Sequence, residues 1–308
     1  MKKVLKIIGI ILLILMVSIV LLFFGIKSFF NAMLTAPMVP NDYIKTVSTG
    51  GELETKYLAM GHYEVEHTKA VAQEEWGEYI IYYPKDLEQN EKTYPVVIFV
   101  NGTGVYASRY PTLFEHLASW GFIVLGNEDP STWKGTSADA TLEYLLNEHV
   151  NSNSIFYKKI DIDNIGISGH SQGGVGTFNA ITMQKHRHLY KSAVILSPTE
   201  ADMAQFLKIP YDSSKVTIPV MILAGTENDV ISLEKMQDMY NKMMTSKVIA
   251  RKSNQSHGEM LYCADGYVTA WFRWQLKGDT EAAKAFLGEE AEIMNNHLYQ
   301  DQQISFTK

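Results

Sequence analysis

An alternation restricts this chain more than any other feature. Between residues 78 and 251, short apolar runs are separated by amphipathic stretches of helical period. The runs occupy 78–83 (EYIIYY), 95–100 (PVVIFV), 122–125 (FIVL), 165–168 (IGIS), 193–196 (AVIL) and 219–223 (PVMIL), with 247–251 as a further strand. The amphipathic stretches occupy 111–120, 138–149, 174–185 and 233–244. A run that is apolar at every position suits a strand covered on both faces, and helices between consecutive strands make those strands parallel. The fold class is therefore α/β, a mostly parallel central sheet flanked by helices. The strands before Pro95 have no helix between them and are expected to form an antiparallel edge. In such sheets ligands bind at the carboxyl ends of the strands, so chemistry is to be sought directly after each run.

Residues 7–26 (IIGIILLILMVSIVLLFFGI) contain nothing more polar than Ser18. As a helix they would rise about 30 Å, one hydrocarbon thickness. A cleaved secretory signal has an apolar core of only about 7–15 residues and ends on small residues. The spacing thus predicts an uncleaved transmembrane signal-anchor within residues 1–26. Lys2, Lys3 and Lys6 precede it and Lys27 alone directly follows, which places the amino terminus in the cytoplasm and the remaining chain outside, at the cell membrane. Residues 27–56, broken by Pro37, Pro40, Gly50 and Gly51, read as a stalk, and 57–308 as one domain. At 46% hydrophobic and 20% charged, the chain is not disordered. Beyond residue 26 it carries 24 basic against 34 acidic side chains, an excess that repels phosphate and argues against nucleic acid as a partner. Cys263 is the single cysteine, so an intrachain disulfide, a CxxC zinc site and an iron–sulfur cluster are excluded.

Directly after the run 165–168 stands Gly169-His170-Ser171-Gln172-Gly173-Gly174, followed by a helical stretch. This is a G-x-S-x-G pattern in strand–turn–helix context, the setting of a nucleophile elbow. A serine on so sharp a turn leaves no room for Cβ atoms two residues away on either side, which glycine at 169 and 173 provides. A serine hydroxyl near neutral pH needs an imidazole to accept its proton and a carboxylate to orient that imidazole. On a sheet of this kind the chain order is Ser, acid, His. Only His257 and His297 lie beyond the last apolar run with an acid before them; His297 sits in the polar tail, whereas His257 follows the strand at 247–251. The acid is expected to be Asp229, in the turn after 219–223, with Asp202 as the alternative one strand earlier and Glu227 pointing elsewhere.

The tetrahedral intermediate of acyl transfer needs fixed donors for its oxyanion. One is expected from the Gln172 main-chain N–H, the other from Thr103 in the loop Asn101-Gly102-Thr103-Gly104 after the run 95–100. Two further patterns carry less. His186 and His188 read as a solvated helix end rather than a metal pair, and the sequons at Asn101 and Asn254 would flank the site, so glycosylation there is not expected.

These residues carry a family resemblance. The elbow, the acid and histidine loops, the stretch 268–279 (VTAWFRWQLKGD) and the stretch 117–122 (LASWGF) resemble the α/β-hydrolase superfamily. The similarity is greater to its dienelactone-hydrolase-like, chlorophyllase and cutinase-type polyester hydrolase branch, and it runs from about residue 94 to residue 287. It implies Ser171 as nucleophile, Asp229 as acid and His257 as base. It also places Thr103 where polyester hydrolases carry an aromatic oxyanion-hole residue, and Pro198-Thr199-Glu200 where they often carry a stacking tryptophan. His170 and Gln172 stand in for their usual tryptophan and methionine. The aromatic clamp is thus missing.

The expectation is a membrane-anchored extracytoplasmic serine hydrolase that cleaves a small or lipid-like carboxylic ester, with no metal or organic cofactor. A peptidase or acyltransferase using the same triad, and a dead hydrolase scaffold serving as a surface binding protein, are the alternatives.

Overall fold

The computed structural model describes residues 36–307, and Met16 before them. The expected transmembrane segment, residues 7–26, lies outside the described residues but for Met16. Among the described residues no helix is long and apolar enough to cross a membrane.

A nine-stranded sheet organises the unit that begins at Val39. Its strands are β1 (Val65–Val71), β2 (Glu78–Pro84), β3 (Tyr94–Val100), β4 (Ile123–Asn127), β5 (Ile160–His170), β6 (Tyr190–Leu196), β7 (Val220–Glu227), β8 (Lys247–Ser256) and β9 (Tyr299–Ser305), in the spatial order β1-β2-β4-β3-β5-β6-β7-β8-β9. β4, β3, β5, β6, β7 and β8 run parallel, as their continuous apolar runs require. β1 and β2 form the expected antiparallel edge, and β9 closes the opposite edge antiparallel to β8. A mostly parallel sheet with flanking helices fits the α/β-hydrolase pattern.

The pleat divides each strand between two cores. Val97 and Phe99 of β3 face one layer, while Val96, Ile98 and Val100 face the other. The first layer is built on α2 (Pro111–Ser119) and α7 (Asp265–Lys277), with Phe114, Leu117, Trp271 and Phe272 fully buried. The second is built on α3 (Thr136–Val150), α4 (Gln172–Met183) and α6 (Leu233–Lys242), which contribute Leu142, Leu145, Phe178 and Met236. Pro111 starts α2, where its fixed φ and missing N–H cost nothing.

The compact unit starts earlier than the breakers in 27–56 suggest. Val39, Tyr43 and Tyr57 are buried in the first core, and α1 (Glu52–Leu58) packs on α7. Buried polar groups fasten this segment. The Tyr43 hydroxyl donates to Asp265 Oδ2 at 2.5 Å, and His116 Nδ1 lies 2.6 Å from the same oxygen. Lys252 Nζ on β8 donates to Glu54 Oε1 at 2.9 Å, and Asn296 and Tyr299 donate to the same carboxylate. A stalk would leave these groups in water. Here tyrosine rings and a carboxylate that must be paired once buried draw residues 39–58 into the domain.

Candidate active site

The elbow forms where β5 meets α4. Ser171 caps α4 with φ 60° and ψ −120°, a left-handed conformation that costs a non-glycine residue of order 1–3 kcal/mol. The surrounding backbone holds it there. Ser171 N–H donates to Leu196 O at 2.9 Å, and Ser171 O accepts from Gly174 N–H at 2.9 Å and Thr199 N–H at 3.4 Å. The glycines are required sterically. A Cβ on Gly169 would lie 2.6 Å from Thr177 Oγ1 as well as against the Gly173 carbonyl, and one on Gly173 would strike the carbonyl oxygens of Val100 and Asn101.

Strand register brings the acid and the histidine together. Glu227 of β7 pairs with Ser256 of β8, so the turn carrying Asp229 and the residue after Ser256 leave the sheet side by side. His257 Nδ1–H donates to Asp229 Oδ1 at 3.2 Å. Only 3% of the Asp229 side chain is exposed, against 23% of His257. The Asp229 carboxylate also accepts from Ser197 Oγ at 2.6 Å, Gly225 N–H at 2.6 Å and Val230 N–H at 2.7 Å. Burial pushes this carboxyl upward, but the bonds from His257, Ser197 and Gly225 outweigh it and hold it below its ordinary range. Asp229 is thus kept as an anion that fixes the imidazole with Nδ1 protonated and Nε2 free to accept. Ser171 Oγ makes no hydrogen bond to a described residue, in keeping with the long or poorly aligned nucleophile–base contacts common in unliganded enzymes.

His170, the residue that precedes Ser171 in the elbow, packs on His257. Its ring lies 4.6 Å from the His257 ring, tilted by 33°, and its Nε2–H donates to the His257 carbonyl at 2.7 Å. Burial, with the adjacent His257, lowers the His170 imidazole to about 4, so it is uncharged near neutral pH.

The loop after β3 lies against the elbow because Val100 pairs with Gly169. A Cβ on Gly102 would sit 3.9 Å from Ser171 Cβ, ordinary contact. Gly102 N–H donates to the Tyr110 hydroxyl at 3.3 Å and Gly104 N–H to Pro130 O at 2.9 Å. Between them, Thr103 N–H donates to no described residue, which leaves it available to a ligand. Gln172 is buried and its Oε1 accepts from Thr132 N–H at 2.8 Å, a bond that pins the amide end of α4 to the loop after β4.

The other candidates lie elsewhere. Asp202 is exposed and paired with Lys235 at 2.5 Å, and Glu227 points into solvent at the end of β7. His297 sits just before β9, beside Gly50 and Glu52. His186 is not a solvated helix end: it is nearly buried, and its Nδ1 lies 3.2 Å from Asp139 Oδ1. No group of three or more metal-ligating side chains occurs among the described residues. Asn101 is buried, its amide donating to the carbonyls of Asn127 and Asp129, which leaves no access for a glycan. Two residues of the site escaped sequence reasoning. Ser197, with φ 42°, supplies a hydroxyl to Asp229, and His170 is marked in the sequence only by standing where relatives carry tryptophan. Ser197 follows the run 193–196 directly, so the rule that singled out Asp229 would also have found it.

Residues 49–302 match the family model described as PET hydrolase-like. The chain belongs to the PET hydrolase-like family. Among curated proteins, it is 29% identical over 174 residues to Cutinase 2 of Thermobifida cellulosilytica, covering 54% of this chain and 59% of that one. It is 29% identical over 174 residues to Cutinase cut1 of Thermobifida fusca, covering 54% and 48%. It is 28% identical over 179 residues to the bis(hydroxyethyl) terephthalate hydrolase of Streptomyces coelicolor, covering 56% and 52%. The chain spans about half the length of the curated relatives it matches. Within this PET hydrolase-like chain the elbow, acid loop and histidine loop all fall inside the matched residues.

Proposed function

We propose that this protein is a membrane-anchored serine hydrolase that cleaves a carboxylic ester outside the cytoplasm. The observation that carries the reading is the strained Ser171 at the β5–α4 turn, next in sequence to His170, whose ring packs on a His257 imidazole already bonded to a buried, anionic Asp229. Ser171 Oγ attacks the ester carbonyl as His257 Nε2 takes its proton. The Thr103 and Gln172 amides meet the oxyanion. His257 then gives its proton to the departing alkoxide, leaving an acyl-enzyme and an alcohol. Water activated by His257 releases the acid and restores Ser171. Asp229 stays ionised throughout, orienting the ring and stabilising the imidazolium. No metal or organic cofactor enters this scheme.

Names of the relatives, cutinase and bis(hydroxyethyl) terephthalate hydrolase, support carboxylic ester chemistry. The replacement of aromatic clamp positions by Thr103, His170 and Pro198 favours an aliphatic or lipid-like ester over an aromatic polyester. The twenty-residue apolar run before the domain supports the anchor, and the lysine asymmetry around it supports an outward-facing domain. The full chain should hydrolyse a small activated ester. Ser171→Ala should lower kcat/KM by about 10⁴-fold or more, with the unfolding midpoint retained. Equal turnover by Ser171→Ala would end the reading.

A further inference from the structure

Helix α5 (Ala201–Phe206) follows β6 and begins two residues after Thr199, whose N–H reaches the Ser171 carbonyl. It is short, and its apolar side faces outward. Met203, Phe206 and its C-cap Leu207 are 47%, 79% and 43% exposed, whereas Ala204 is its buried contact with the domain. Positions i, i+3 and i+4 share one side of a helix, so these three side chains form a single apolar ridge. Local bonds hold the ridge in place: Ile209 N–H donates to Ala204 O, and the Tyr211 hydroxyl donates to Thr199 O while its ring stacks on Phe178 of α4 at 4.6 Å. Val230, next to the acid, adds a further exposed apolar side chain at this end of the sheet. Scattered exposed apolar residues need no explanation, but a fixed ridge on the segment bonded to the elbow does.

We infer that the Met203–Phe206–Leu207 ridge inserts into a lipid surface and that the ester cleaved at Ser171 is a lipid ester drawn from that surface. The inference rests on the anchored-hydrolase reading above. The occupant is argued from the chain itself. An apolar run of bilayer-spanning length ends at residue 26, and the twelve residues from 27 to 38 can extend at most about 40 Å before the domain begins. That reach is comparable to the size of the domain, so a bilayer is always available to an uncovered apolar ridge. Charge does not drive the contact, because the chain beyond residue 26 is acidic overall and would be repelled by anionic headgroups. Docking is therefore apolar and insensitive to salt. A ridge sunk to headgroup depth sets the carboxyl ends of the strands against the interface, where the ester bonds of glycerolipids lie.

The test uses the full chain reconstituted into phosphatidylcholine vesicles. Cys263 is buried and its thiol is pushed up to about 12 by burial, so Phe206→Cys can be labelled selectively with an environment-sensitive fluorophore. Val150→Cys, at the exposed end of α3, is the control. Emission at 206 should shift to the blue in vesicles and stay shifted at high salt, while emission at 150 should remain that of water. In parallel, the chain carrying Met203→Ser, Phe206→Ser and Leu207→Ser is assayed on a long-chain diacylglycerol embedded in the vesicles and on a soluble acetyl ester. The ratio of embedded to soluble turnover should fall at least about tenfold. Identical spectra at 206 and 150, or an unchanged ratio, overturns the inference. Failure of the chain to float with vesicles removes the anchor and the inference with it. Loss of both ester activities in the unaltered chain refutes the hydrolase reading and so the lipid-ester half of the inference, while the label still decides whether the ridge inserts.

Discussion

Gly173→Ala probes the packing on which the site depends. Gly173 lies in the first turn of α4, two residues after Ser171. A Cβ there would sit 2.7 Å from the Asn101 carbonyl oxygen and nearer still to that of Val100. Both obstacles are backbone, so no side-chain rotation relieves the overlap. Either the amino end of α4 or the carboxyl end of β3 must move, by about 0.5–1 Å in a close-packed interior. Overpacking of this kind costs about 1–3 kcal/mol of stability. The displaced elements are those that carry the Gln172 and Thr103 amides, and a misplacement of about 1 Å can cost about 100-fold in rate. Gly173→Ala should therefore unfold at lower urea, by about 1–3 kcal/mol, and lose about 100-fold in kcat/KM on a soluble activated ester. Gly258→Ala is the matched control. It adjoins His257 but has an ordinary φ of −68° and nothing within 4 Å of a Cβ, so its stability should change by less than about 0.5 kcal/mol. A Gly173→Ala chain with unaltered midpoint and turnover would refute the elbow packing described above.

Ser197→Ala removes one charge-assisted bond from buried Asp229 and should cost about 1.5–3 kcal/mol in urea unfolding, with kcat reduced more than KM; no loss of stability would mean that the carboxylate does not depend on that hydroxyl. His170 titrates at about 4 when folded and about 6.5 when unfolded, so the unfolded chain takes up its proton first. Its contribution to stability is complete above about pH 6.5 and is lost as pH falls towards 4, about 3 kcal/mol in all. His170→Phe should flatten the stability slope across that window, and an unchanged slope in unfolding curves at stepped pH would contradict the assignment. Glu54→Gln leaves the buried Lys252 ammonium with neutral acceptors and no counter-charge, and should destabilise the domain by about 3–5 kcal/mol. Adding Lys252→Met should recover part of that loss in thermal unfolding; a Glu54→Gln chain as stable as the parent would mean that residues 39–58 are not held by this pair.

Parts of the fold were legible for a simple reason. The parallel strands β3 to β8 are covered on both faces, and only continuous apolar runs satisfy such positions. Edge strands escape that rule. β1 (VEHTKAV) and β9 (YQDQQIS) each have one open side and a half-exposed face, so their residues are mostly polar and resemble a linker or tail. Residues 39–56 read as a stalk for the opposite reason. Their breakers are real, but Tyr43 and Glu54 find partners more than two hundred residues away, and no local pattern records such partners.

The same division runs through the site. By itself, the sequence singled out Ser171 as the candidate nucleophile, because the steric demands of the elbow are met within five consecutive residues that directly follow an apolar strand run. It also narrowed the acid and the base to the ends of two late strands. Only the tertiary structure decided that Asp229 meets His257, that Ser197 and the Gly225 amide join His257 in keeping that carboxylate charged, and that His170 lies against the His257 ring. Those contacts depend on which residue of β7 lies beside which residue of β8, and of β5 beside β6. Register between strands is a property of the assembled sheet, fixed by burying every apolar run at once, and no single run contains it.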